Sequence, residues 1–360
     1  MPAYPLPPGS VIGVLGGGQL GRMLALAAAR LGFRTVVLTP ESDSGAAQVA
    51  SRTICAAYDD DRALAELAEA ADVVTFEFEN VPAAVVAALE SLGAAVAPGA
   101  RALAVAQDRV DEKTFLNACR APTVAFRAIE TAADVRAGVE ALGAPALLKT
   151  RRQGYDGKGQ TWVESQADAG EAFARIGGQP AILEARAAFQ RELSAIAARG
   201  RDGDISIYPL GENHHEGGIL RRTVAPASVP TGVFDQAAAI AARILTSLEY
   251  VGVMGVELFA LDDGHLLVNE IAPRVHNSGH WTLDGCEVDQ FEQHVRAIAG
   301  WPLGPVTPLA RVEMENLIGA DVERWRELIK EEEARVWFYG KGEARPGRKM
   351  GHINRLRPLG

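Results

Sequence analysis

Val11-Ile12-Gly13-Val14-Leu15-Gly16-Gly17-Gly18-Gln19-Leu20-Gly21 is a short apolar run that breaks into glycines. A helical pattern follows, with Met23, Leu24, Leu26, Ala27 and Leu31 at recurring spacing and Gly32 as its stop. Further on, Thr35 to Leu38 reads as a buried strand and Asp72 to Glu79 as another. A helix over Val81 to Leu92 and a short strand over Ala94 to Ala97 come next. Strands alternating with helices predict an α/β domain with a parallel, doubly wound sheet over residues 1–105. Gly16, Gly18 and Gly21 match G-x-G-x-x-G at a helix N-terminus, where backbone amides favour an anion. Glu41 stands about where the ribose-binding acid of an NAD site belongs, although Pro40 precedes it. A tight turn needed only for packing explains the same glycines equally well.

From residue 106 to 300 the texture changes. Helical patterns at Asp111 to Cys119 and Ala132 to Leu142 lead to a strand, Ala146 to Thr150, and a glycine-rich loop, Gly154 to Gly159. Further strands are expected at Gln160 to Val163, Ala181 to Glu184, Glu192 to Ala198 and Ile205 to Leu210. A helix over Phe234 to Leu248 precedes two more, Gly252 to Leu261 and His265 to Glu270. Runs of strands with few helices between them predict an α+β domain with a largely antiparallel sheet. Residues 301–360 form a smaller piece containing Arg345-Pro346-Gly347-Arg348-Lys349.

Bulk properties narrow the function. The chain has 360 residues and a net charge of -10, which disfavours a nucleic-acid or anionic-membrane partner. Its three cysteines, Cys55, Cys119 and Cys286, follow no metal spacing and suit a reduced compartment. The proline-rich start lacks the pattern of a signal peptide, and no apolar run is long enough to span a bilayer, so a cytoplasmic protein is expected.

The chemistry concentrates in the second region. Lys149 ends an apolar strand a few residues before the loop Gly154-Tyr155-Asp156-Gly157-Lys158-Gly159-Gln160. A flexible, amide-rich loop beside fixed positive charge suits polyphosphate, and an ordinary hairpin with exposed lysines is the plainer reading. Glu257 and Glu270 sit among apolar residues on neighbouring strands, and buried acids must be paired or hold a metal. They suit Mg²⁺ shared with phosphates; salt-bridged surface acids are the alternative. Ala272-Pro273-Arg274-Val275-His276-Asn277-Ser278-Gly279-His280-Trp281 then supplies a guanidinium, two imidazoles, an amide and a hydroxyl, donors for carboxylate, carbonate and phosphate.

Several ordered blocks make the chain resemble the N5-carboxyaminoimidazole ribonucleotide synthases of the ATP-grasp superfamily. They are Gly16 through Met23, Phe76 through Pro82, Gly154 through Gln160, Tyr250 through Met254, Asn269 through Trp281 and Arg345 through His352. The resemblance implies an ATP-grasp fold behind an N-terminal pre-ATP-grasp domain, with a mobile lid at about 120–187 and a small C-terminal domain completing the substrate site. It implies an ATP-dependent ligase that carboxylates aminoimidazole ribonucleotide through carboxyphosphate in purine biosynthesis, with ATP as cosubstrate, Mg²⁺ as cofactor and a homodimer as the assembly.

By the same resemblance, Arg109 and Lys149 meet the ATP phosphates under the lid Gly154 to Gln160. Glu184, Ala185, Arg186 and Ala187 form the hinge that reads adenine through its backbone. Glu192 holds the ribose and His215 belongs to the nucleotide site, the loop before it having an unusual composition. Glu257 and Glu270 bind Mg²⁺ with Asn269 beside them. Gln19 and Glu77 become substrate-site candidates, which turns the glycine loop away from NAD. Tyr155, Asp156, Arg274, His276, Asn277 and Ser278 surround bicarbonate and the acceptor, and Lys341 and Arg348 clamp the substrate's 5′-phosphate. Members of the family often run well past the block ending at His352, whereas this chain ends at Gly360. Three other readings remain: an NAD-dependent oxidoreductase, a noncatalytic nucleotide-binding regulator, and another ATP-grasp carboxylate-amine ligase of nucleotide metabolism.

Overall fold

Strand β1 (Val11–Leu15) is apolar throughout because both its faces are covered. Ile12 and Val14 join the core that holds Leu24 and Phe291, while Leu15 packs with Leu64, Leu67 and Val86 on the other side. β2 (Arg34–Thr39) and β4 (Val73–Phe76) flank β1 in parallel, and β3 (Arg52–Cys55) lies outside β2. Helices Gln19–Arg30 and Asp61–Ala70 supply the covering; the second starts where Asp60 accepts from the amides of Arg62 and Ala63. The computed structural model describes residues 2–152, 154 and 159–359, so Tyr155, Asp156, Gly157 and Lys158 of the glycine-rich loop lie outside the described residues.

A second sheet contains β5 (Phe126–Ile129), β6 (Ala146–Thr150), β7 (Gln160–Val163) and β8 (Ala181–Ala185), antiparallel in the order β5-β8-β6-β7. Val135, Val139 and Ala172, from helices Ala132–Leu142 and Ala169–Arg175, cover one of its faces through Leu148 and Leu183.

The third sheet holds β9 (Phe189–Arg199), β10 (Ile205–Ile207), β11 (Gly211–Glu216), β12 (Ile219–Ala225), β13 (Gly252–Leu261), β14 (Leu266–Ala272), β15 (Arg311–Ile318), β16 (Ala334–Phe338) and β17 (Lys349–Arg357). Among the described residues its order is β14-β13-β9-β11-β12-β15-β17-β16, all antiparallel, with β10 on β9. β15 pairs with β12, so the last three strands continue the large sheet. Helix Thr231–Ser247 closes one face, its Ala237, Ile240 and Ile244 meeting Leu193, Ala195, Val256 and Leu258. Alternation along the strands therefore turns Glu192, Ser194 and Glu257 to the opposite face.

Several elements differ from expectation. The strand expected over Asp72 to Glu79 ends at Phe76, because Glu77 leaves the sheet to bond the glycine loop. Ala94 to Ala97 contributes only one bridge, Val96 to Val74. The strand from Ile205 stops at Ile207. The stretch before His215 is no loop: it is β11, paired on both sides, and its polar sequence carries no apolar alternation to betray it.

Candidate active site

Glu257 on β13 and Glu270 on β14 face each other directly. Val268 and Glu270 have the same sequence parity, yet Val268 packs in the core and Glu270 does not. The register slips here: Leu258 opposes Val268 while Glu257 opposes Glu270, making Asn269 the extra residue of a β-bulge. Like charges facing across strands repel. Burial, with Glu270's charge behind it, pushes Glu257 up to about 7. Burial also opposes ionisation of Glu270, but the Arg109 guanidinium, 3.0 Å away, outweighs it and holds that carboxyl below its usual range. Asn269 Nδ2 donates to Glu257 Oε2 at 3.3 Å. No cluster of three or more His, Cys, Asp or Glu side chains is arranged for a metal among the described residues. Mg²⁺ that takes its remaining oxygens from phosphate and water needs only one or two carboxylates.

Helix Arg109–Ala118 lies along β14, Asp108 capping its start. Arg109 also donates to the Gly154 carbonyl at 3.1 Å. Behind it Glu184, on β8, forms ion pairs with Lys149 Nζ at 2.7 Å and Lys113 Nζ at 3.2 Å. Burial opposes ionisation of Glu184, but the two lysines prevail and hold it at about 2. A cleft of about 360 Å³ opens beside them, lined by Lys149, Glu184, Ala185, Arg186 and Ala187 together with apolar walls that include Trp162 and Phe259. Phe189 and Phe259 stack at its rim, ring centroids 4.3 Å apart and ring planes nearly parallel. Residues 186–188 lie between β8 and β9, outside either ladder. Further along the sheet, His215 Nδ1 stands 2.6 Å from Glu192 Oε2.

The loop after β14 closes over the acids. Gln290 clamps it, accepting from the His276 amide at 2.9 Å and donating to the His276 carbonyl at 2.7 Å. The Ser278 amide donates to His276 Nδ1 at 3.3 Å, and Ser278 Oγ lies 2.7 Å from the same nitrogen. With Nδ1 accepting, the ring proton sits on Nε2, which faces Glu257 Oε1 at 3.5 Å. Burial, then Arg274, pushes His276 down to about 3, so the ring is neutral near pH 7. Asn277 is also buried, and neither atom of its amide has a partner among the described residues. Arg274 pairs with Glu79; burial opposes ionisation of Glu79, but Arg274 outweighs it and holds the acid at about 2.

The first glycine loop is occupied from within. Both Gly18 and Gly21 donate their amides to the Glu77 carboxylate, the second at 2.8 Å. Gly16, at φ +118°, has no room for a Cβ, which would collide with Glu77 Cγ. An internal acid thus fills the anion site that a dinucleotide phosphate would take. Lys341 and Arg348 lie in the connection between β16 and β17: Lys341 Nζ donates to the Lys349 carbonyl at 2.8 Å, and Arg348 Nη1 to the Glu343 carbonyl at 3.1 Å. Burial, then Arg348, pushes Lys341 down to about 8, while Glu77 acts the other way.

Known proteins match this chain along its length. Residues 10–107 match the ribonucleotide synthetase preATP-grasp domain, 114–291 the ATP-grasp domain and 313–358 the phosphoribosylaminoimidazole carboxylase C-terminal domain. An N5-carboxyaminoimidazole ribonucleotide synthase of Brucella melitensis is 51% identical over 357 residues, covering 98% of each chain. The chain belongs to this synthase family. The crystal structure of an ADP complex of a family member superposes with a TM-score of 0.95 at 40% identity, covering 99% of this chain and 95% of that one. A synthase from Aspergillus clavatus, solved with ADP and 5-aminoimidazole ribonucleotide, gives 0.91 at 32% identity, covering 98% and 94%.

Within the family's frame, most of the expected residues converge. Arg109, Lys149, Glu184, Glu257, Glu270 and Asn269 form one connected group, and Arg274 to Ser278 close over it. Gln19 opens the helix after the glycine loop. Gly159 turns at φ +69°, and Gln160 begins β7 opposite Lys149. Ser278 spends its hydroxyl on His276, which makes it a support of the loop. The residue-level reading missed Glu79, Glu112 and Lys113, along with the aromatic cleft walls. A signal was available for two of these: Arg109, Glu112 and Lys113 stand at i, i+3 and i+4, one helix face carrying three charges.

Proposed function

We infer that this ATP-dependent ligase carboxylates the exocyclic amine of 5-aminoimidazole ribonucleotide, consuming ATP and bicarbonate. The observation that carries the reading is the meeting of two groups at Glu257: the acid pair with its phosphate-side cations, and the donor loop through His276. ATP lies in the cleft beside Lys149, its polyphosphate directed toward Arg109 and the acids. The acid pair suits Mg²⁺: a carboxyl pushed up to about 7 beside a second acid is negative charge awaiting a cation. When bound, the metal neutralises charge developing on the β- and γ-phosphates.

Bicarbonate oxygen attacks the γ-phosphorus, ADP leaves, and carboxyphosphate forms. The substrate amine then takes the carboxyl group and releases phosphate. Asn277, with a free donor and acceptor, and Arg274 orient bicarbonate; His276, neutral, donates through Nε2 without adding charge. Lys341 and Arg348 hold the 5′-phosphate at the far end. Exclusion of water protects the carboxyphosphate, the task assigned to the lid. The family resemblance also supports a cytoplasmic homodimer.

The test is ATP turnover with oxygen-18 bicarbonate, with and without the ribonucleotide. Label in the phosphate, tightly coupled to ribonucleotide consumption, is expected. Labelled phosphate that ignores the ribonucleotide would assign a different acceptor, and unlabelled phosphate under tight coupling would exclude carboxyphosphate.

A further inference from the structure

Lys113 is a lysine in an unusual place. Its side chain is 1% exposed, in a position where an apolar residue of similar size would be cheaper to bury. Its ammonium reaches two different sheets: it forms an ion pair with Glu184 of β8 at 3.2 Å and donates to the Asn269 carbonyl of β14 at 3.0 Å. Asn269 is the bulge residue that turns Glu270 out of the core. The neighbouring Glu112 binds the same strand, accepting from the Ile271 amide at 2.7 Å. Lys113 does not line the nucleotide cleft, but the other oxygen of Glu184 holds Lys149, which does.

We propose that Lys113 is a positioning residue for the ATP-dependent step, tying the Glu184–Lys149 pair to the bulge that aims Glu270. The proposal rests on Lys149 and the acid pair serving ATP, as inferred above. Without the ammonium, Glu184 keeps a single partner and draws Lys149 toward itself, away from the phosphates. The bulge carbonyl also loses its donor, so Glu270 is less firmly aimed.

The test compares Lys113→Met, Glu184→Gln, the double variant and Lys113→Arg. Affinity for ADP with Mg²⁺ is measured by calorimetry, alongside kcat, the Mg²⁺ concentration at half-maximal rate, and KM for the ribonucleotide. Lys113→Met is expected to lower ADP affinity and kcat by roughly tenfold or more, the loss typical of a charged hydrogen-bond partner. Its Mg²⁺ requirement should rise several-fold while KM for the ribonucleotide stays within about twofold. Lys113→Arg should recover most of kcat. Because the two residues act as one unit, the double variant should lose less than the product of the single losses. Parent kcat and Mg²⁺ requirement with only a lower Tm would reduce Lys113 to a packing cation, and multiplying losses would separate it from Glu184. Should Lys113→Met fold poorly, the double variant removes the buried Glu184 charge as well and leaves Lys149 facing the open cleft, and parent-like turnover there overturns the proposal. A parent protein that fails to couple ATP to the ribonucleotide would refute the functional reading instead, while the ADP affinities still report on Lys113.

Discussion

Two side chains carry charge states that pH can read. Lys341 is held at about 8 by burial and by Arg348, so it is cationic near pH 7 and neutralises as pH rises through 8. A phosphate monoester is already largely dianionic above about pH 6, so a change beyond pH 8 belongs to the lysine. KM for the ribonucleotide is expected to stay level to about pH 8 and climb above it. Lys341→Met should show a high, flat KM, and a parent-like profile in that variant would exclude Lys341 from the clamp. Glu257 gives the opposite slope to an ordinary acid. Its folded value, about 7, lies above the usual carboxyl range, so the folded state binds the proton more tightly. Its stabilising contribution is full below about pH 4.5 and is lost as pH rises through 7. Glu257→Gln removes the repulsion with Glu270. Its Tm without ligand at pH 8 should equal or exceed that of the parent, while turnover and the Tm rise on adding Mg²⁺ and ADP both collapse. A full ligand-induced rise would place the metal elsewhere.

Strand β13 serves two masters, a core on one face and the donor loop on the other. Gly255 lets the loop come close: a Cβ there would stand 2.7 Å from the Cβ of His276. Gly255→Ala is expected to cost about 1–3 kcal/mol through overpacking. Bicarbonate-dependent turnover should fall further than ADP affinity, because the displaced element is the loop and not the cleft; equal losses would argue against this. Apolar runs made β1, β2, β6 and β13 legible, since a strand buried on one or both faces must be written in apolar residues. The polar β11 stayed hidden, as did the bulge at Asn269, because register is a property of two strands together. Glu257 and Glu270 were legible as acids in apolar settings. That Glu77 would fill the glycine loop was not, since 56 residues of chain separate it from Gly21.

At the scale of the whole molecule, the C-terminal residues hold the large sheet together. Val312, Met314 and Leu317 are fully buried, and β15 pairs with β12 from Val312 to Glu315. A chain ending at residue 310 should therefore fail to give a soluble, cooperatively unfolding protein, as sedimentation and thermal melting would show. A well-folded fragment would mean that the large sheet closes without β15 to β17. The same pairing has a consequence during synthesis. Until β15 emerges from the ribosome, β12 presents an open row of amides and carbonyls, a template for pairing with another chain. Residues 226–310, 85 in all, separate β12 from β15, so at roughly 5–20 residues per second that edge stays bare for about four to seventeen seconds. The nascent enzyme is thus most exposed to aggregation between the completion of β12 and the arrival of β15, and a chain cut within that interval is more hazardous than one cut before β12.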